Sequence, residues 1–332
     1  MPTRLTSIVS QPGCSLAEWP PIKYGRIQLM DLWRPVDAAP LRPDPAQWKD
    51  DRITAAWLGH ATVLINFFGV VILTDPVLFT RAGLGIYPFI IGPKRYVAPA
   101  LTLAELPPLD LVLLSHAHMD HFDRITLRRF RQSPAVVTAH ATADLLRGTL
   151  LQRRVKKLAW GDKTRLTFDR FGPSRDDAIE IEACEVNHYG ARLRTDDYRG
   201  YNGYVVRRGG AAILFAGDTA TTPLFQKLRG RGAPGRGGTY DLALMPIGAY
   251  DPWIEAHCNP EQAVKMADDA GARFILPTHH RTFRLSEEPL DEPIQRLEKA
   301  LADTSERVAL RSIGETFEVP GVRPGGRAVS TA

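Results

Sequence analysis

The alternation of apolar and polar positions separates a leading segment without pattern from a long patterned one. Residues 1 to about 50 are rich in proline and have no periodicity, which predicts an extended arm over 1–51. After Arg52, "ITAAWLGHATVLINFFGVVILTDP" first alternates and then becomes continuously apolar on either side of Gly69, a pattern typical of strands in hairpin order. We therefore predict a single domain over 52–320 and a flexible tail over 321–332.

Shorter apolar runs continue this pattern along the predicted domain. They predict further strands, among them "LDLVLLS", "AVVTAH", "AIEIEACEV", "AAILFAG", "DLALMPIG" and "RFILPT". A helix is predicted for "NPEQAVKMADDAG", because Asn259 is a typical N-cap, Pro260 stands at the first helical position and Gly271 follows the last. Three further helices are predicted for "DRITLRRFRQ", "LFQKLRG" and "EPIQRLEKALADT". Strands dominate early and alternate with helices later, so we expect two sheets with helices outside them.

The apolar stretch "LGIYPFIIG", residues 84–92, fits two interpretations. Glycine and proline interrupt it, and it is shorter than the roughly 18 residues of a membrane span. It could belong to the core, or it could form a loop that lines an apolar substrate entrance. The pattern alone does not choose between these two.

Composition and charge limit the class of protein. Apolar residues make up 44% and charged residues 24% of the chain, as in soluble globular proteins. The net charge of +5 is distributed in short arginine clusters, which are typical of solvated faces and can also attract phosphate groups. Cys14, Cys184 and Cys258 are too far apart for a paired zinc motif. We expect a cytoplasmic protein, and contact with the periphery of a membrane is compatible with that location.

Candidate chemistry lies where the apolar strands end. "LLSHAHMDHFD" places His116, His118, Asp120 and His121 directly after one strand, and three other strands are followed by His188, by Asp218 and by the pair His279–His280. Strand ends that meet at one edge of a sheet form the usual crevice of α/β folds. In extended backbone, residues two apart project to the same side, so His116 and His118 suit one ion, while Asp120 and His121 suit a second. Imidazole and carboxylate are ligands that zinc accepts. His188 would complete the first ion, His279 the second, and Asp218 would bridge both.

This arrangement resembles the metallo-β-lactamase-fold hydrolases. "AAWLGHATVLI", "LLSHAHMDHFD", "LFAGDTA" and "LMPIGAYDP" are similar to the branch that contains the N-acyl-phosphatidylethanolamine-hydrolysing phospholipase D, and the similarity runs from Thr54 to Pro293. The resemblance implies an α/β fold, a four-layer αββα sandwich of two mixed β-sheets flanked by helices. The leading 25 residues do not match the mammalian phospholipase, which leaves the substrate less determined than the chemistry.

The resemblance also implies roles for individual residues. It repeats the seven-residue ligand set of His116, His118, His188, Asp120, His121, His279 and Asp218. It places His257 of "HCNP" close to the reacting group, and it gives Asp120 the task of orienting the nucleophile. His60 and Asp75 would support ligands from behind, Asp75 by accepting an N–H from a ligand histidine. His280 is the alternative to His279, and His140 is interpreted as structural.

The predicted function is hydrolysis by two divalent metal ions. Zinc is expected, with manganese or iron as alternatives, and two such ions about 3.5–4 Å apart share a bridging hydroxide that attacks the substrate. We expect a small-molecule or lipid substrate, with a phospholipid-like phosphodiester of the N-acylphosphatidylethanolamine type preferred. A lactonase or other carbonyl hydrolase and a non-catalytic metal-binding protein are the alternatives. A nucleic-acid partner is not expected, because no basic stripe with interleaved aromatic residues is present.

Overall fold

The computed structural model describes residues 33–86, 88–168, 178–193 and 195–325. Most of the predicted arm and the end of the predicted tail lie outside these ranges, so the predicted division into arm, domain and tail stays a prediction. Within them, the part of the arm that is described contains a short 3₁₀ turn at Pro45–Gln47 and a bridge between Asp37 and Val97. No helix in the described part of the chain is both long enough and apolar enough to cross a bilayer.

The strands predicted by the apolar runs are present, together with several shorter ones. In chain order the strands of the described ranges are β1 (Ile53–Gly59), β2 (Thr62–Phe67), β3 (Val70–Thr74), β4 (Leu84–Ile86), β5 (Phe89–Ile91), β6 (Leu111–Leu114), β7 (Ala135–Ala139), β8 (Val155–Leu158), β9 (Lys163–Leu166), β10 (Ile179–Cys184), β11 (Gly203–Arg208), β12 (Ala211–Phe215), β13 (Tyr240–Pro246), β14 (Ala272–Thr278) and β15 (Thr316–Glu318).

These strands form two mixed sheets and one separate hairpin. The order in the first sheet is β15-β1-β2-β3-β6-β7-β8, and in the second it is β14-β13-β12-β11-β10-β9. In the first sheet β3, β6, β7 and β8 are parallel, and in the second β12, β13 and β14 are parallel. Parallel strands bring their carboxyl ends to one edge, so each sheet presents such an edge. The strands β4 and β5 pair only with each other.

One apolar core joins the two sheets. It combines Leu64, Leu113 and Val137 of the first sheet with Ile181 and Phe215 of the second, all essentially inaccessible to solvent. Burying each such side chain contributes about 1.5–3 kcal/mol relative to leaving it in water. Because β1, β6 and β13 are buried along their whole length, both faces of each sheet are covered at these strands, as two packed sheets with outer helices require.

Three α-helices lie among the described residues, α1 (Arg124–Arg129), α2 (Pro260–Ala270) and α3 (Glu292–Ala300). The start of α2 is the predicted one: the Asn259 side chain accepts from Gln262 N, the Gln262 side chain accepts from Asn259 N, and Gly271 ends the helix with φ of +83°. Met266 of α2 and Leu297 of α3 belong to a second apolar cluster, which joins these helices to the second sheet.

Two short segments show local structure that the apolar pattern left open. The short helix predicted for "LFQKLRG" is present and is a 3₁₀ helix, Pro223–Leu228. "LGIYPFIIG" forms the hairpin β4–β5, in which Phe89 is 84% and Ile91 77% exposed, so its interpretation as core is wrong. An apolar stretch predicts burial only where another part of the fold covers it, and the exposure of Phe89 and Ile91 means that no described residue covers them.

Candidate metal centre

The predicted ligands come together at one edge of the sandwich. His116 follows β6 of the first sheet, whereas His188, Asp218 and His279 follow β10, β12 and β14 of the second. In the second sheet β10 runs antiparallel to β11 and β11 antiparallel to β12, so β10, β12 and β14 all point the same way. Their carboxyl ends therefore meet across the crevice from the loop that follows β6.

Three histidines form a first cluster of donor atoms. His118 Nδ1 lies 2.8 Å from His116 Nε2 and 3.2 Å from His188 Nε2. Asp218 Oδ2 lies 3.9 Å from both Nε2 atoms. Three imidazole nitrogens and one carboxylate oxygen therefore face a common point, within 4.8 Å of one another.

A second cluster lies on the other side of Asp218. The Oδ2 atom of Asp218 is 3.1 Å from His121 Nε2 and 3.1 Å from His279 Nε2. Asp120 Oδ2 completes the group at 3.6 Å from His121 Nε2 and 3.4 Å from His279 Nε2. One carboxylate oxygen of Asp218 thus faces both clusters, as the sequence interpretation requires of a bridging residue.

Hydrogen bonds behind the clusters orient the rings. His121 Nδ1 donates to Asp75 Oδ2 at 2.7 Å, and Asp75 also accepts from Ser115 N at 2.8 Å. His116 Nδ1 lies 2.9 Å from Ser115 Oγ, and His188 Nδ1 donates to Ala256 O at 2.9 Å. The Asp75 and Ala256 oxygens can only accept, so they place a ring proton on Nδ1 of His121 and of His188. The Ser115 hydroxyl donates to Asp75 and is therefore available as the acceptor for His116 Nδ1. Asp75 therefore lies where it was predicted, and Ser115 is a contact that sequence reasoning missed, although it directly precedes the histidine motif.

His60 supports the second cluster. Its Nε2 atom lies 2.9 Å from Asp120 Oδ2, and its main-chain carbonyl accepts from His279 N at 3.1 Å. Its own N–H donates to Thr282 Oγ1 at 2.6 Å. His60 and His279 both have positive φ, +54° and +63°, a backbone conformation that side chains other than glycine adopt rarely and at a cost of order 1–3 kcal/mol. The surrounding bonds hold the two loops in this conformation.

His279 and His280 have different surroundings. The ring of His280 stacks on Trp57 with centroids 4.5 Å apart, and both of its nitrogens are buried without a hydrogen-bond partner among the described residues. Its neighbour His279 directs Nε2 into the second cluster. The structure therefore brings His279, and not His280, to the other donor atoms.

His257 lies at the mouth of the crevice. Its Nδ1 atom is 3.7 Å from Asp218 Oδ2, and its ring centroid is 5.2 Å from those of His188 and His279. Cys258, in contrast, is buried beneath the site, and its Sγ donates to Pro246 O. His140 is exposed, and its main chain pairs with Leu158 and Gly200 away from the donor atoms.

The two clusters differ in electrostatics. Burial lowers the pKa of His118 to about 4 and holds the pKa values of His116 and His188 well below the ordinary value, so these rings are neutral ligands. Burial acts the same way on His121 and His279, but the Asp218 carboxylate outweighs it, raising the pKa of His279 to about 9 and that of His121 well above its usual range. In the second cluster, protons on imidazoles balance buried carboxylates.

The donor atoms fit a cation. Asp218 Oδ1 is buried and has no hydrogen-bond partner among the described residues, and His121 Nε2 and His279 Nε2 face Asp218 Oδ2 at 3.1 Å without forming a well-aligned hydrogen bond. Leaving such atoms unpaired costs about 1–3 kcal/mol each, and more when they are charged. A positive ion in contact with these nitrogen and oxygen atoms would remove that cost and replace the imidazole protons as the balancing charge.

Two further residues were missed by sequence reasoning. The Tyr189 ring packs edge-on against that of His118, with centroids 4.6 Å apart, and is half-exposed at the crevice. Its position directly after His188 was the available signal. The Arg192 guanidinium donates to Ala117 O at 3.0 Å and to Phe122 O at 2.8 Å and so spans the histidine loop. Nothing in the sequence signals this contact, because main-chain groups accept both bonds.

Comparison with known proteins agrees with this site. The family model of the beta-lactamase superfamily domain matches residues 71–280. An uncharacterised protein of Mycobacterium tuberculosis is 29% identical over 296 residues, covering 87% of this chain and 75% of the relative. N-acyl-phosphatidylethanolamine-hydrolyzing phospholipase D 1 of Caenorhabditis elegans is 33% identical over 264 residues, covering 76% of this chain and 70% of the relative.

A solved structure confirms the predicted fold. The structure of a metallo hydrolase from the archaeon Ignicoccus hospitalis superimposes with a TM-score of 0.56 and 22% identity, covering 80% of this chain and 97% of that one. At this identity the likeness shows the αββα sandwich alone. Together with the family match over the histidine loop and Asp218, it leads to one conclusion: the chain belongs to the metallo-β-lactamase superfamily and is one of its metal-dependent hydrolases, related to the N-acyl-phosphatidylethanolamine-hydrolysing phospholipases D.

Proposed function

We propose that this hydrolase uses two divalent metal ions to cleave a phosphodiester bond in a phospholipid-like substrate of the N-acylphosphatidylethanolamine type. The observation that carries the proposal is the position of Asp218, whose Oδ2 atom lies 3.1–3.9 Å from donor nitrogens of both clusters. A single-ion site has no need of a carboxylate between two sets of three donors. The substrate class is supported by the 33% identity to the nematode phospholipase.

Each ion would have four protein donors. One ion would be held by His116, His118 and His188 and the other by Asp120, His121 and His279, with Asp218 shared between them. Zinc suits such nitrogen-rich donor sets, and manganese and iron are the alternatives. Bound in this way, the ions would supply Lewis acidity, which lowers the pKa of water towards neutrality and stabilises negative charge in the transition state.

The chain itself would position the nucleophile and the substrate. The Asp120 carboxylate, held by His60, faces the second cluster and is placed to orient an attacking water. Burial lowers the pKa of His257 to about 4, so its imidazole is neutral at physiological pH and offers one N–H to a phosphoryl oxygen at the mouth. Burial raises the pKa of the Tyr189 phenol, which keeps it protonated as a second donor.

A substrate panel with the zinc-loaded protein tests the proposal. We expect turnover of N-acylphosphatidylethanolamine and of a soluble short-chain phosphodiester, and no comparable turnover of a lactone or a β-lactam. Turnover of lactone alone would establish the carbonyl-hydrolase alternative, and absence of all turnover in a metal-replete protein would establish the non-catalytic one. The variant His257→Gln should keep its metal content and lose about 10²-fold in kcat, the lower end of what proton-transfer and donor groups supply.

The last ligand can be tested with a matched pair of neighbouring variants. His279→Ala should lose the ion of the second cluster, because it removes one of the two nitrogens 3.1 Å from Asp218 Oδ2. His280→Phe should retain both ions, because phenylalanine preserves the stack on Trp57 and removes no donor atom of either cluster. Metal content by elemental analysis checks the prediction. Retention of both ions in His279→Ala together with loss in His280→Phe would reverse the assignment.

The metal-free protein should show two populations of histidine. In its ¹⁵N spectra at neutral pH, His121 and His279 should be protonated, and His279 should lose its proton only as the pH rises through about 9, because Asp218 raises its pKa. His118 should stay neutral until the pH falls to about 4, because burial lowers its pKa. Adding zinc at neutral pH should convert His121 and His279 to the neutral form. Neutral rings throughout the metal-free protein would contradict the charge balance described above.

A further inference from the structure

The hairpin β4–β5 exposes large apolar side chains. Phe89 and Ile91 are more than three-quarters exposed, and Leu84 is 50% exposed. Two strands that pair only with each other gain little stability in water, and contiguous apolar exposure in soluble proteins is typical of contact sites. The hairpin therefore has the character of a surface that is covered by something else.

The hairpin lies beside the metal centre. Its base is closed by bonds from Ala82 N to Pro93 O and from Arg95 N to Thr80 O. Ala82 packs with Phe283, whose ring lies 5.1 Å from that of His60. The chain enters the hairpin from the carboxyl end of β3, which is parallel to β6 and ends at the same edge as the histidine loop. A binding partner that covers the hairpin would therefore lie next to the crevice.

Other exposed apolar side chains occur in the segments that carry ligands. Tyr189 and Leu193 follow His188, and Ile254 precedes His257. We call these three side chains, with the three of the hairpin, the apolar rim; its members are Leu84, Phe89, Ile91, Tyr189, Leu193 and Ile254. They are six of the eleven large apolar side chains that are exposed in the described ranges, and each lies either in the hairpin or within five positions of His188 or His257 along the chain.

Positive charge accompanies the hairpin. Residues 77–96 and 124–135 together contain seven arginines and lysines and no aspartate or glutamate, and six of the seven, all except the buried Arg95, are partly or fully exposed. The two segments are in contact, because Leu78 N donates to Thr126 Oγ1 at 3.0 Å and the Arg129 guanidinium lies 5.0 Å from the centroid of the Phe79 ring. Apolar side chains next to a one-sided cationic surface are the combination by which peripheral proteins bind anionic membranes.

We propose that the apolar rim docks on a phospholipid bilayer that contains anionic lipid, with Phe89 and Ile91 entering the acyl region and the basic segments contacting headgroups. The proposal deepens the proposed function, since it rests on a lipid substrate reaching the crevice from the bilayer. A second copy of the chain fits the surface less well, because a two-fold contact would place the two cationic segments against their own copies.

Vesicle sedimentation of the full, zinc-loaded chain tests this surface. The protein should sediment with phosphatidylcholine vesicles that contain phosphatidylglycerol, and less with phosphatidylcholine alone or at high salt. The double variant Phe89→Asp and Ile91→Asp should reduce the partition coefficient at least about tenfold. Leu150→Asp is the matched control: Leu150 is 39% exposed and lies before β8, at the opposite end of the parallel strands, so binding should not change.

The outcomes separate this proposal from the proposed function. Cleavage of a soluble short-chain phosphodiester should be unchanged in the double variant, because neither Phe89 nor Ile91 contributes a donor atom to the metal centre. Vesicle binding without cleavage of any phosphodiester would support the surface and refute the proposed function. Equal binding of wild type and double variant, no binding at all, or a dimer that the double variant dissociates would each overturn the membrane proposal.

Discussion

Replacing Asp218 with asparagine is expected to lower kcat by about 10³-fold or more and to release most of the bound metal. Asparagine keeps the shape of the side chain but removes the negative charge that faces both clusters, and metal-bound charge stabilisation accounts for several kcal/mol of a transition state, where each 1.36 kcal/mol is a factor of ten. The pKa of His121, which Asp218 raises against the effect of burial, should fall at the same time. Metal content and kcat on the soluble phosphodiester measure the two effects.

Asp241→Asn is the matched control for this variant. Asp241 is about as inaccessible as Asp218 and lies near the start of β13 in the same sheet, but its partners are Arg236 at 2.6 Å, Arg273 at 3.1 Å and Ala212 N. Losing its charge should lower the free energy of unfolding and leave metal content and kcat unchanged. Full activity and full metal content in Asp218→Asn would refute the two-ion proposal, whereas equal loss in both variants would show that the effect is one of folding.

The ligand positions were predictable because the chemistry and the fold share one local signal. Each proposed ligand follows an apolar strand, and the strand direction alone brings His116, His188, Asp218 and His279 to one edge. The family resemblance then supplied the layer order, which the apolar pattern could not. Helix α2 was predictable for the same reason, since its cap residues Asn259 and Gly271 act within a few positions of the helix they end.

The remaining features depend on contacts between distant segments. The spacing of His279 to Thr282 and Phe283 favours His279 over His280 in the sequence, but the packing of His280 on Trp57, more than 200 positions earlier, has no local signal. Arg192 spans the histidine loop through carbonyl groups that every residue has. The hairpin β4–β5 has the composition of a core strand and is exposed only because no other strand pairs with it. Such features follow from the assembled fold rather than from any segment.

Removing the metal ions should lower Tm by about 8–16 °C. A ligand at about 1,000 times its Kd stabilises the folded state by about 4 kcal/mol, and each kcal/mol shifts Tm by about 2–4 °C in chains of 150–250 residues. In the metal-free centre Asp218 Oδ1 is also buried without a hydrogen-bond partner among the described residues, a cost that a bound cation would remove.

Calorimetric melting of the chelated and the zinc-reloaded protein measures the difference. The Tm of the chelated protein should return on reloading, and Asp218→Asn should melt at nearly the same temperature with and without zinc, because it has lost the shared carboxylate. His280→Phe should show the same zinc-dependent shift as the wild type, since it leaves both donor clusters intact. An identical Tm for the chelated and reloaded wild-type protein would mean that a cation does not stabilise this group of seven residues, and would contradict the metal centre itself.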